Sequence, residues 1–186
     1  MKYLISIALL MASPAFGHAA DSAYAGQEHR AIKALSEQEI ADYRHGRGMG
    51  TSKAAELNRY PGPRHVLDHA QQLGLTREQL GKAREIHEAM ARDAVRLGEQ
   101  IVQKEAELEA LYATGRADAQ NTAKVVREIG RLQAEYRLVH LDAHLSMRQI
   151  LSEEQVAAYD KVRGYRESDR SAGGRAHGAS HGKSGH

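Results

Sequence analysis

The stretch LTREQLGKAREIHEAMARDAVRLGEQIVQKEAELEAL, residues 75–111, decides the fold. Thr76 stands three residues before Gln79, so its hydroxyl can accept from the Gln79 N–H while the Gln79 side chain reaches back, the capping box that opens a helix. From there Leu80, Ala83, His87, Met90, Ala94, Leu97, Ile101, Lys104, Leu108 and Leu111 recur at alternating steps of three and four. That spacing places one seam along one helix face. Two members of the seam, His87 and Lys104, are not apolar.

A seam this long needs a partner, and the chain supplies one directly. ATGRADAQN, residues 113–121, breaks the pattern with Gly115 and offers Asp118 as a cap. A second seam then runs through Val125, Ile129, Leu132, Tyr136, Val139, Ala143, Met147 and Ile150. Because the connection is short, the two helices are expected as an antiparallel hairpin. A turn centred near Gly115 or Arg116 sets position 87 opposite positions 143 to 145. Beyond it, LSEEQVAAYDKVR, residues 151–163, repeats the capping signature with Ser152 and Gln155 and predicts a last helix.

Upstream, Pro61 and Pro63 predict a short helix over 64–72 that Gly74 ends. Residues 61–165 thus read as one all-α unit: a short helix, a long antiparallel hairpin and a C-terminal helix, together a four-helix hook. Residues 21–60 read as a partly ordered arm, in which Ser36 and Glu39 cap a short helix that GRGMG, residues 46–50, stops. Residues 166–186, built of Gly, Ser, Arg and His, lack the apolar side chains needed to fold and are expected to be disordered.

The first 20 residues place Lys2 before the apolar run YLISIALLMASPAFG, short for a membrane span and followed by small residues. This is the pattern of a secretory signal peptide, cut after Ala19, Ala20 or Ala25, and it points to the periplasm. No later run is long enough to anchor the chain in a bilayer. Cysteine is absent, so any metal site must use nitrogen and oxygen ligands. With 26 Lys and Arg against 24 Asp and Glu, the net charge of +2 gives no drive toward nucleic acid.

Histidine carries the chemistry. HVLDH holds His65 and His69, HLDAH holds His140 and His144, and the tail holds His177 and His181, three pairs spaced one helical turn apart. Such a pair can chelate one Zn, Ni or Cu(II) ion without backbone strain. The hairpin register sets His87 opposite His144, and the short helix folding back brings His65 within a turn of His87. Asp68, Glu88 and Asp142 are near enough to support the imidazoles or to add an oxygen ligand. The candidate ligands are therefore His65, His69, His87, His140 and His144. The residues also fit a plainer arrangement, with His65 and His69 on the surface, His87 paired to a carboxylate and the other two flanking the stripe. The tail histidines, with His186, fit either a loose metal-scavenging tract or a solvated terminus. HEAMA opens like a zinc-protease helix, but Ala91 stands where the second histidine belongs; no nucleophile elbow or phosphate loop occurs, so no enzyme is expected.

The signal peptide, LTREQ opening the long helix and LSEEQVAAYDKVR closing the hairpin resemble the paired LTXXQ motifs of the Spy/CpxP periplasmic family over residues 60–165. The resemblance implies a thin, all-helical homodimer tied to envelope stress. Spy-type members hold unfolded clients without ATP, while ZraP-type and CnrX-type members bind or sense heavy metals. Against the CnrX-type ligand pattern, His65 and His69 match the first pair, His87 stands at the carboxylate position, His140 matches the third-helix histidine and His144 replaces a methionine. These replacements imply a preference shifted toward Zn or Cu(II). Two functions are thus expected: periplasmic heavy-metal binding or sensing at a His cluster between helices, and ATP-independent holding of unfolded clients or contact with an envelope-stress sensor.

Overall fold

A computed structural model describes residues 22–165. The expected leader, its cleavage and the expected disordered tail with His177, His181 and His186 lie outside the described residues. Among the described residues the chain is all helical: α1 (Glu37–Arg44), α2 (Lys53–Glu56), α3 (Pro63–Asp68), α4 (Arg77–Ala113), α5 (Ala119–Ile150) and α6 (Glu153–Val162). No helix among them is long and apolar enough to cross a membrane.

Three capping boxes start α1, α4 and α6, at Ser36 with Glu39, Thr76 with Gln79, and Ser152 with Gln155. Asp118 starts α5 by accepting from the Asn121 N–H. Each side-chain oxygen satisfies a donor that the first helical turn cannot pair. The hairpin closes through Gly115, whose φ of +67° is the left-handed conformation that ends a helix most readily in glycine. The register agrees with a turn centred near residue 116: Ile86, Met90 and Asp93 of α4 line one groove with Ser146, Asp142 and Val139 of α5.

The hairpin interior is made by Ala94, Leu97 and Ile101 of α4 against Leu132 and Tyr136 of α5. At its open end Val66, Leu73, Ala83, Met147, Leu151, Val156 and Tyr159 join α3, α4, α5 and α6 in one apolar cluster. The two LTXXQ-like motifs meet there. Gln79 Nε2 donates to Gln155 Oε1 at 2.8 Å and to the Ile150 carbonyl at 2.8 Å, while Gln155 Nε2 donates to Gln79 Oε1 at 3.0 Å. Each glutamine therefore caps its own helix and ties it to the other.

The arm is more fully engaged than its composition suggests. Ile32 and Leu35 are buried against Val102, with Ile40 and Tyr43 beside them. This packing gives α4 a second buried face, Gly98, Val102 and Glu105, which the seam did not include. Gly98 is required there, because a Cβ on it would lie 2.0 Å from the Tyr43 carbonyl oxygen. Two differences from expectation are local. α3 ends at Asp68 rather than near residue 72, with His69 leaving helical geometry, and a single-turn α2 forms in the arm.

Candidate metal site beneath the arm

His140 and His144 lie one turn apart on α5, where both side chains turn inward and both residues are buried, 4 % and 6 % exposed. The chain before α3 lies against both. A Cβ on Gly48 would lie 3.6 Å from His140 Nδ1, and one on Gly62 would lie 3.0 Å from His144 Cε1. Backbone at Gly48 and Gly62 thus lies over the two rings, close enough at Gly62 that a side chain there would crowd His144.

His144 Nδ1 donates to the Tyr60 carbonyl at 2.7 Å, since a carbonyl oxygen only accepts. This fixes the tautomer and leaves Nε2 with an open lone pair, the arrangement that orients a metal-binding imidazole. His140 packs on Tyr136 with ring centroids 4.9 Å apart, and its buried Nε2 has no hydrogen-bond partner. Leaving such an atom unpaired costs roughly 1–3 kcal/mol. Burial first, and then the neighbouring His144, pushes the His140 pKa down to about 4, so the ring is neutral and able to ligate well below neutral pH.

The remaining histidines are placed differently. His65 lines a cavity of about 430 Å³ together with His144, at the junction of the arm, α3, α5 and the end of α6. Its Nδ1 is 3.9 Å from Asp68 Oδ2, too long for a hydrogen bond, and burial, followed by the charge of Arg163, lowers its pKa. His69 is half-buried and turned to Gln72, with 2.7 Å between Nδ1 and Oε1. His87 is half-buried on α4 and does not line the cavity with His65 and His144. Among the described residues no three His, Asp or Glu side chains already converge as a ligand set. The structure thus brings His140 and His144 together on one helix and His65 with His144 on one cavity wall, and it leaves His69 and His87 apart from them.

Sequence reasoning missed the acidic centre of this cavity. Glu56, on α2, accepts from Tyr159 at 2.6 Å, from Tyr165 at 2.7 Å and from the Gly62 N–H at 3.2 Å, with Arg163 3.4 Å away and His144 Nδ1 3.8 Å away. Burial raises the Glu56 pKa, but the two phenol bonds, with the charge of Arg163 and of His144 when that ring is protonated, outweigh it and hold the carboxyl below its usual range. Nearby, Asp160 is buried and accepts from Arg59 Nε at 3.1 Å. These bonds fasten the arm to α6 across about a hundred residues of chain, a distance at which no local pattern operates. The one sequence signal available was Tyr159, an aromatic position on the inward face of α6 whose hydroxyl needs a partner once buried.

Neither a protein-family model, nor a curated protein, nor a solved structure matches the chain.

Proposed function

We propose that the chain is a non-enzymatic, heavy-metal-binding stress protein of the periplasm, which takes up a transition-metal ion at His140 and His144. The observation that supports this best is the unpartnered, buried Nε2 of His140 beside a His144 ring whose tautomer leaves its own Nε2 open. A buried polar atom without a partner is uncommon, and an ion would satisfy it. Neutral imidazoles favour Zn, Ni and Cu(II). Because the arm lies on both rings, binding would be coupled to a shift of the arm, with His65, His69 or His87 as added ligands. Such coupling is what a sensor needs: occupancy becomes a change of shape.

The test is calorimetric titration of the full chain with Zn, Ni and Cu(II), compared with a His140→Leu, His144→Gln double variant. Leu fills the volume of the first ring and Gln can keep the bond to Tyr60. Loss of binding in the double variant is expected. Unchanged affinity would refute the assignment.

A second reading has its own observation. On the outer face of α5, Leu138 and Leu145, two turns apart, are 54 % and 49 % exposed. Apolar side chains in a row on an outer helix face suit contact with a second copy of the chain, as in a homodimer, or with an unfolded client. Suppression of client aggregation by metal-free protein, lost in a Leu138→Lys, Leu145→Lys variant, would favour this reading; no suppression by the unaltered protein would exclude it.

A further inference from the structure

The cavity beside His144 contains one soft donor. Met49 lines it with His65 and His144, and so do Glu56, Lys53 and Arg163. Met49 lies in the GRGMG turn with φ +45°, a left-handed conformation that a residue with a Cβ adopts only at a cost of about 1–2 kcal/mol. Gly48 precedes it and Gly50, with φ +78°, follows. The turn could have carried its glycine at the strained position; it carries a thioether there instead, 39 % exposed.

The donors decide which ion fits. Glu56 is the only carboxylate on the cavity wall, and its oxygens already accept from Tyr159, Tyr165 and the Gly62 N–H. A hard dication would have to compete with three donors for that carboxylate. What stays available is two imidazoles and a thioether, and thioether ligands select Cu(I). Charge acts in the same direction. Lys53 and Arg163 share the wall, and their repulsion of a dication is twice that of a monocation.

Building on the proposed metal function, we infer that Met49, with His144 and His65, forms a soft subsite for copper as Cu(I). Coordination would draw the GRGMG turn onto α5 and α3, so the arm itself would report on the ion. A thioether lies outside the nitrogen and oxygen donors expected of a cysteine-free chain.

The experiment is anaerobic Cu(I) competition against a chromophoric chelator, with Zn titrated in parallel, for the full chain and its Met49→Leu and His144→Gln variants. Leucine keeps the Cβ and the apolar bulk, and circular dichroism checks that each variant is folded. Met49→Leu is expected to weaken Cu(I) binding by about tenfold or more, a loss typical even of an outer-sphere partner, and to leave Zn affinity unchanged. Copper X-ray absorption should show a sulfur neighbour that this variant loses. Met147 is fully buried and Met90 lines the opposite groove, so the substitution identifies which sulfur it is. If Met49→Leu binds Cu(I) like the unaltered chain while His144→Gln does not, the thioether subsite is refuted and the histidine site survives. If neither substitution changes the binding of either ion, both are refuted.

Discussion

Gly98 allows a test of the fold in which one substitution, made at two places, should act with opposite signs. At position 98 an added methyl would lie 2.0 Å from the Tyr43 carbonyl oxygen and 2.6 Å from its carbonyl carbon. Both atoms are backbone at the end of α1, so no side-chain rotation relieves the clash. α1 must retreat by about 1 Å, and a packed interface does not absorb such a shift without loss. Overpacking of this kind costs about 1–3 kcal/mol, and loosening Ile32 and Leu35, each worth roughly 1.5–3 kcal/mol when buried, sets a similar scale. Alanine returns about 1 kcal/mol through helix propensity. A net loss of about 2 kcal/mol is expected for Gly98→Ala. Gly130, in the middle of α5, has nothing within 4 Å of its would-be Cβ. There the propensity gain acts alone, and Gly130→Ala should stabilise by about 0.5–1 kcal/mol. Urea unfolding followed by helical circular dichroism measures both, and tryptic cleavage after Arg44 or Arg47 should accelerate only in Gly98→Ala. A Gly98→Ala protein as stable as the parent would mean that α1 does not dock on α4, and the cover over His140 would go with it.

Acid should loosen the metal-free protein before its carboxylates titrate. The His140 pKa falls from 6.5 to about 4 on folding, so the unfolded chain binds the extra proton and stability is lost as pH drops through that window. Between pH 7 and pH 5 this amounts to about 2 kcal/mol; denaturant melts in EDTA should show it, and His140→Leu should flatten the slope. Tyr159→Phe removes a donor from Glu56 in a fully buried position and should cost about 2 kcal/mol at pH 7, measured by thermal melting. Gln79→Ala and Gln155→Ala should each cost about 1–2 kcal/mol, and the double variant should lose less than their sum because the two side chains bond each other.

What the sequence disclosed follows from what is local. The seams of α4 and α5 were legible because their alternating steps are set by helix geometry, and the register followed from the turn alone. Capping boxes at Thr76 and Ser152 were legible for the same reason, although nothing in either motif showed that Gln79 and Gln155 would bond each other. In the arm, α1 was legible through Ser36 and Glu39, but its docking on the hairpin was not. Gly46 and Gly48 read as a helix stop and Gly62 and Gly98 carried no signal, whereas each is a place where one backbone approaches another element: Gly46 on Ala94, Gly48 on His140, Gly62 on His144 and Gly98 on Tyr43. Glycine signals close approach and freedom with the same letter. The hairpin register correctly set α4 against α5, but it could not show that His140 and His144 turn toward the arm.

That misplacement bears on mechanism. Had the imidazoles faced only α4, they would have occupied a static seam between two helices fixed by a long apolar interface, and an ion there could have changed little. Facing the arm, they touch its stretch from Arg47 to Gly62, which polar bonds tie down: the Tyr136 hydroxyl on the Arg47 carbonyl at 2.6 Å, Tyr60 on His144, and the Glu56 bonds to Tyr159 and Tyr165. His144 Nδ1 belongs to that set and its Nε2 does not, so a ligand on Nε2 can bind without first breaking the bond to Tyr60. The same ring can hold the arm through one nitrogen and present the other to an ion. For the proposed metal uptake, α4 and α5 would form the rigid base, and the stretch from Arg47 to Gly62 would be the part that moves.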